Sequence, residues 1–304
     1  MTEETVKTLS RQYFPLEIQQ ALLRWQGELE QVQEIRCRLG RPLRLRLQSG
    51  EERTVLEQLS TEQLQYIVGR ISQGSVYAWE EEFRRGYLTL AEGHRVGLVG
   101  KGVLEQGAIR TLKQISGLNF RIARAMPGAA DQILEQILAD GSLHNVLLLS
   151  PPGCGKTTLL RDLIRQLSDG IPRLGFAGVN VGVVDERSEL AGCVNGIPQL
   201  DIGSRTDILD GCPKSEGMRM LIRSMAPQVV AADELGTAAD VLALEEALQS
   251  GVYVLSTVHG RNLEELRRHP ILGRLVEQGF FTWIVTLAWK NGQVVTQCQR
   301  GDCL

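Results

Sequence analysis

Aromatic residues are scarce in this 304-residue chain, at 5%. No stretch approaches the roughly 18 uncharged apolar residues that a membrane-spanning helix needs, which excludes a bundle threaded through a bilayer. The start, MTEETVKTLSRQYF, is acidic and polar where a secretory leader would be basic and then apolar. Neither sign of charge dominates: 33 Lys and Arg stand against 36 Asp and Glu, a formal net charge of -3. A surface built throughout to neutralise phosphate carries a clear basic excess, so nucleic acid is an improbable general partner. The six cysteines form no CxxC pair and no His/Cys zinc spacing. Scattered thiols of this kind fit a reducing compartment, and the chain is expected to be cytoplasmic, with any membrane contact made through a partner rather than by direct insertion. Internal repeats and low-complexity runs are missing too, which removes the solenoid and disordered classes.

What is present is ordinary globular material, 43% hydrophobic, long enough for about two domains with separate cores. Residues 1–125 carry 18 Lys/Arg against 15 Asp/Glu, and residues 126–304 carry 15 against 21. Leu16, Ile18, Leu22, Leu23 and Val32 fall at mostly helical spacing and predict an amphipathic helix over 16–33. The next stretch, EIRCRLGRPLRLRLQSGE, alternates strictly. Ile35, Cys37 and Leu39 share one face with Arg36 and Arg38 opposite; beyond a turn at Gly40-Arg41-Pro42, Leu43, Leu45 and Leu47 alternate with Arg44 and Arg46. This is a β-hairpin with an arginine face, either a solvated sheet edge or a contact surface for protein or nucleic acid. LSTEQLQYIVGRIS reads as a helix capped by Ser60 or Thr61, and residues 86–124 as a string of short strands with glycine turns. Residues 1–125 therefore predict an α+β domain.

Pro127-Gly128 breaks the pattern and marks the boundary of a second domain, 126–304. Beyond it, the apolar strands NVLLLS, VNVGVVDE, QVVAADE and GVYVLSTVHG alternate with the helices TTLLRDLIRQLS, GMRMLIRSM and ADVLALEEALQS. Strands apolar on both faces predict a parallel sheet covered on two sides, an α/β nucleotide-binding domain. WIVTLAWKNGQVVTQCQ predicts a terminal hairpin around Asn291-Gly292.

The chemistry gathers at strand ends. NVLLLS runs into Pro152, Gly153, Cys154, Gly155, Lys156, Thr157 and Thr158 and then into a helix, the context of a phosphate-binding loop. Its glycines let successive N–H groups wrap a phosphate, Lys156 adds a point charge, and Thr157 offers a hydroxyl to Mg²⁺. Ser150 stands where the motif has its first glycine, and Cys154 fills a permissive position. About 75 residues after Lys156, QVVAADE ends in Asp233 and Glu234, placed for a metal-supporting carboxylate and a general base. Asp185-Glu186-Arg187 and Ser256-Thr257 with His259 end two more strands on the edge where parallel sheets bind ligands. Arg219 and Arg223 share a helix face, either as solvated surface or as a contact with another subunit.

The strings SPPGCGKTTLLRD, VVDERSELAG, GSRTDILDGCPKSEGM, MRMLIRSMAPQVVAADELG and VYVLSTVHG together resemble the stage III sporulation protein AA family of endospore-forming bacteria. That family is similar to the hexameric traffic ATPases of type II and type IV secretion. The likeness continues through EIRCRLGRPL, GHRVGLVGKGV and LNFRIAR, from about residue 15 to 290. The resemblance implies an α/β protein in which a RecA-like P-loop NTPase domain follows the smaller α+β N-terminal domain. It implies an ATPase using ATP and Mg²⁺, working as a hexamer on membrane-embedded sporulation channel proteins between mother cell and forespore. Position by position, Lys156 and Thr157 would hold nucleotide and Mg²⁺, Asp233 the metal, and Glu234 the general base. Glu186, or its neighbour Asp185, stands where the traffic ATPases have a second acidic box, and His259 where they have a histidine box. Arg95 and Arg121 resemble arginines aimed at phosphate from the N-terminal domain, with Arg124 or Arg223 as alternatives.

Two rivals share these residues. A nucleic-acid translocating or packaging ATPase would use the arginine hairpin as its contact surface. A nucleotide-dependent scaffold would bind without turning over.

Overall fold

The computed structural model describes residues 3–25, 27, 29–72, 80–290 and 293–301. The chain divides into two compact units, Met1–Arg124 and Ala125–Leu304.

In the first unit, three helices, α1 (Glu3–Tyr13), α2 (Leu16–Arg24) and α3 (Thr61–Ile71), share one core with a sheet. The sheet is β1 (Val32–Arg38), β2 (Leu43–Leu47), β3 (Glu52–Leu56), β4 (Tyr87–Thr89), β5 (Arg95–Glu105) and β6 (Ala108–Arg121), in the order β3-β2-β1-β6-β5-β4. Every pairing is antiparallel. Alternation along β1 and β2 buries Ile35, Cys37, Leu43 and Leu45 in one core with Ile18 and Ile67 from the helices and Phe14 between α1 and α2, where the Phe120 ring of β6 lies tilted against Phe14 with centroids 4.8 Å apart. Ser60 caps α3 in a reciprocal pair with Gln63.

Three expectations are corrected here. The helix expected over 16–33 stops at Arg24, where Trp25 turns to extended backbone, and Val32 already lies in β1. Ile18 and Leu22 are buried, whereas Leu16 and Leu23 face outward. The strands expected to be short are the two longest in the chain: β5 and β6 form one extended hairpin turning at Gln106 and Gly107, both with positive φ. The arginine hairpin is no sheet edge, since β3 and β4 hold the edges. Two of its four charges are answered within the sheet, Arg36 by Glu34 at 2.7 Å and Arg44 by Glu52 at 3.0 Å. A short helix, α4 (Glu80–Arg85), follows α3.

The second unit is a seven-stranded sheet between two helical layers. Its strands are β7 (Val146–Ser150), β8 (Val181–Asp185), β9 (Thr206–Asp210), β10 (Val229–Ala232), β11 (Tyr253–His259), β12 (Trp283–Lys290) and β13 (Gln293–Arg300). The order is β13-β12-β7-β11-β10-β8-β9, parallel throughout except for β13. Successive residues enter opposite cores. Val146, Leu148, Val183 and Ala231 pack with α5 (Asp131–Ile137) and α6 (Lys156–Asp169). Leu147, Leu149, Val184 and Val230 pack with α7 (Lys214–Met225), α8 (Ala238–Gln249), α9 (Leu263–Arg267) and α10 (Gly273–Glu277). Strand β9, unforeseen in the sequence, pairs with β8 at the margin. The expected turn at Asn291-Gly292 lies outside the described residues, although β12 and β13 on either side of it pair in register. Among the described residues, no helix is long and apolar enough to cross a membrane.

Candidate functional site

Four parallel strands deliver the polar residues to one edge. At their carboxyl ends stand Ser150, Asp185, Asp233 just beyond β10, and His259, with β11 paired to β7 so that His259 lies beside Ser150. This is the edge at which open parallel sheets bind ligands.

The loop after β7 turns on Gly153 and Gly155, at φ +78° and +82°, and a Cβ added at either would meet nothing within 4 Å. Gly155 caps α6, whose first residue is Lys156, so backbone N–H groups and a helix N-terminus face the loop. Ser150 is buried, and its hydroxyl donates to Pro151 O at 2.8 Å. Cys154 points into the core among apolar neighbours. Lys156 is itself largely buried; desolvation pushes its ammonium pKa down, opposed by Asp233 and Glu234.

Around Lys156 the side chains form a chain of contacts. Lys156 Nζ lies 3.0 Å from His259 Nδ1, and His259 Nε2 lies 2.8 Å from Glu234 Oε1. Arg187 donates to the other Glu234 oxygen at 2.9 Å. Thr157 Oγ1 donates to Asp233 Oδ2 at 2.7 Å, and Thr257 Oγ1 donates to Asp233 Oδ1. Thr257 also accepts the Glu234 N–H at 2.9 Å. Glu234 has φ +54°, a left-handed backbone costing a non-glycine residue on the order of 1 kcal/mol, and the buried Thr257 holds it there.

The segment after β8 is fastened separately. Asp185 is buried, and its carboxylate accepts the N–H groups of Glu189, Leu190 and Ala191 at 2.8–2.9 Å. Burial pushes its pKa up, and those three donors pull it back. Arg161 from α6 donates to the carbonyls of Glu189 and Leu190 at 2.7 and 2.6 Å. Glu186 turns the other way and pairs with Lys214 at the start of α7. Asp185, Glu186, Arg187, Glu189, Lys214, Asp233 and Glu234 line one cleft.

A model of the family described as sporulation stage III, protein AA matches residues 5–300. The chain belongs to that family. Stage III sporulation protein AA of Bacillus subtilis (strain 168) is 42% identical over 262 residues, spanning 86% of this chain and 84% of the relative. Two solved structures share the fold. The pilus retraction motor PilT with bound ADP superposes with a TM-score of 0.60 at 14% identity, covering 88% of this chain and 78% of that one. The ATPase DotB of Legionella pneumophila gives 0.59 at 17%, covering 88% and 76%. The α/β architecture of this sporulation stage III AA family member is thus RecA-like.

Within this family member, Lys156, Thr157, Asp233, Glu234 and His259 meet at one place. Glu186 and Asp185 separate: Asp185 is committed to its own loop, while Glu186 opens on the cleft. Arg95 and Arg121 lie opposite each other on β5 and β6 of the first unit, with the Arg95 guanidinium 3.5 Å above the Tyr87 ring. Arg124 donates to the carbonyls of Glu30 and Val32. Arg219 bonds α7 to α8 through Glu246 at 2.6 Å, a use within the chain that the shared-face pattern did not foresee. The parts played by Thr257, Arg187, Lys214 and Arg161 were not legible in sequence. Each contact joins residues at least 23 positions apart, so no local pattern marks the partners.

Cys37, Cys154, Cys193, Cys212 and Cys298 are free thiols. Burial pushes Cys37 up to about 12, and burial with Asp210 and Asp185 nearby does the same to Cys193.

Proposed function

We propose that this chain is an ATP-hydrolysing motor of sporulation that energises a channel between mother cell and forespore. The observation that carries the reading is the convergence of Lys156, Thr157, Asp233, Glu234 and His259 on the edge of β7, β10 and β11.

The donor set fits magnesium and a triphosphate. Thr157 and Asp233 offer two hard oxygens side by side, and Mg²⁺ takes one or two protein oxygens with phosphate and water completing its octahedron. Among the described residues, no group of three or more His, Cys, Asp or Glu side chains could hold a metal ion. The two glycines leave room for phosphate against the backbone N–H groups. When bound, Mg²⁺ supplies the charge that offsets negative charge developing on the transferring phosphoryl group.

The chain's own residues do the rest. Lys156 places its ammonium at the helix N-terminus, where anionic oxygen gathers. Glu234, fixed by Thr257, offers a carboxylate oxygen to orient water and take its proton. His259 joins the lysine to that base, so a change at one is felt at the other. A further positive charge, with Arg95 or Arg121 as candidates on the family resemblance, would offset the negative charge developing on the transferring phosphoryl group. A ring of six and contact with membrane-embedded channel proteins complete the reading, on the family resemblance. Phosphate release from Mg-ATP by the purified chain tests it: turnover is expected, and Lys156→Ala abolishes it. Equal release by both proteins rejects the reading.

A further inference from the structure

In the DERSE segment, Asp185–Glu189, the Arg187 side chain touches the base although the hydrolysis account gives it no part. Arg187 extends from a backbone fixed on every side: Asp185 takes three N–H groups, Arg161 two carbonyls, and the Ser188 hydroxyl donates to Asp210 at 2.7 Å. Ser188 itself is left-handed at φ +51°. So firm a mount carries an exposed side chain, 62% accessible, whose guanidinium reaches 2.9 Å from Glu234 Oε2. With His259 on Oε1, both oxygens of the carboxylate are engaged. Each oxygen already accepts one hydrogen bond, and the Arg187 guanidinium fixes Oε2 in an orientation it must leave to face the water it deprotonates.

We propose that Arg187 is a positioning residue that latches Glu234 in a resting orientation and thereby keeps basal turnover low; the inference rests on the hydrolysis reading above. Release has a built-in route. Lys156 holds His259 by donating to Nδ1, and a phosphate oxygen competes for the same ammonium. His259 still orients Glu234 through Oε1, and the other oxygen, Oε2, is held back by Arg187 alone. That last contact is solvent-exposed and therefore weak, worth about a two- to fivefold population bias. It is weak enough to be displaced by a subunit or channel partner presenting an anion to Arg187, which would couple hydrolysis to engagement. The Glu186–Lys214 pair beside it keeps a second cation from replacing Arg187, because Lys214 is already held.

Steady-state kinetics of the full chain with Arg187→Gln, Arg187→Lys and Glu234→Gln tests the latch. Arg187→Gln is expected to raise kcat about two- to fivefold with KM changed less than about twofold, and Arg187→Lys to fall between it and the wild type. Because the pair is exposed, raising salt also speeds the wild type towards the Arg187→Gln rate while leaving that variant flat. A fall in kcat for Arg187→Gln overturns the proposal by making Arg187 a promoter of the reaction, and an unchanged kcat with unchanged salt response overturns it as well. If wild type, Arg187→Gln and Glu234→Gln release phosphate at one background rate, the hydrolysis reading itself is rejected and the latch with it.

Discussion

His259 stands between Lys156 and Glu234, with Nδ1 3.0 Å from the ammonium and Nε2 2.8 Å from the carboxylate. An ammonium can only donate, so Nδ1 accepts and the ring proton sits on Nε2, from which it is donated to Glu234. The imidazole thus carries a hydrogen-bonded connection from the phosphate loop to the base. His259→Ala cuts it. Hydrogen bonds to charged groups are worth about 1.5–3 kcal/mol, so kcat is expected to fall on the order of ten- to a hundredfold with little change in nucleotide affinity. Steady-state kinetics beside a binding titration checks this; equal losses in both would make His259 a binding residue only.

Thr257 serves both acids, donating to Asp233 and accepting from the Glu234 N–H. Thr257→Val keeps the shape and removes both bonds at a position with no solvent access. Leaving these partners short costs about 1–3 kcal/mol of stability, and Glu234 loses what holds its left-handed backbone. A lower urea midpoint together with a lower kcat is expected. A kinetic loss without a shift in midpoint would show that Thr257 acts on the reaction and not on the backbone.

His94 gives the first unit a pH dependence of definite sign. It is buried, accepts the Ala123 N–H on Nδ1 at 3.1 Å, and burial pushes its pKa below the ordinary 6.5 despite Glu92 nearby. The folded state therefore binds this proton less readily than the unfolded chain. The contribution to stability is complete above pH 6.5 and is lost as pH falls through that value towards the folded one. Urea midpoints at about pH 7 and pH 5.5 should separate for the wild type and separate less for His94→Gln. Identical shifts in the two proteins would assign the pH dependence to other groups.

Gly217 sets helix propensity against packing. In mid-helix, Ala is preferred to Gly by about 1 kcal/mol. A Cβ here would lie 2.6 Å from Val184 Cγ1 and 2.9 Å from Cys212 Sγ, and overpacking of that kind costs about 1–3 kcal/mol. Packing wins, because α7 lies directly on β8. Gly217→Ala is expected to unfold at lower urea than the wild type; a higher midpoint would mean that α7 can shift outward at little cost.

The parts of the site legible in the sequence are those whose constraint is local. Gly153, Gly155, Lys156 and Thr157 stand consecutively because one turn must meet one phosphate, and Asp233-Glu234 end a strand whose apolar run announces it. Arg187 and Thr257 were legible only as members of strings, since their partners lie 47 and 24 residues away. The same distinction holds for the fold. Strands buried on both faces, such as β7 and β10, are continuous apolar runs, whereas TDILD of β9 pairs on one side only and has just Ile208 and Leu209 between two acids. The helix over-read at 16–33 fails because Val32 continues a helical spacing by coincidence while pairing with Leu47 in the sheet.

The central claim is that Glu234 is the base of an ATP-hydrolysing site, and parallel measurement of Mg-ATP binding and phosphate release in Glu234→Gln tests it most directly. Loss of a general base predicts a fall in kcat of about a hundredfold or more with ATP bound at least as tightly as in the wild type. Turnover at the wild-type rate, with Lys156→Ala still abolishing it, would contradict the account.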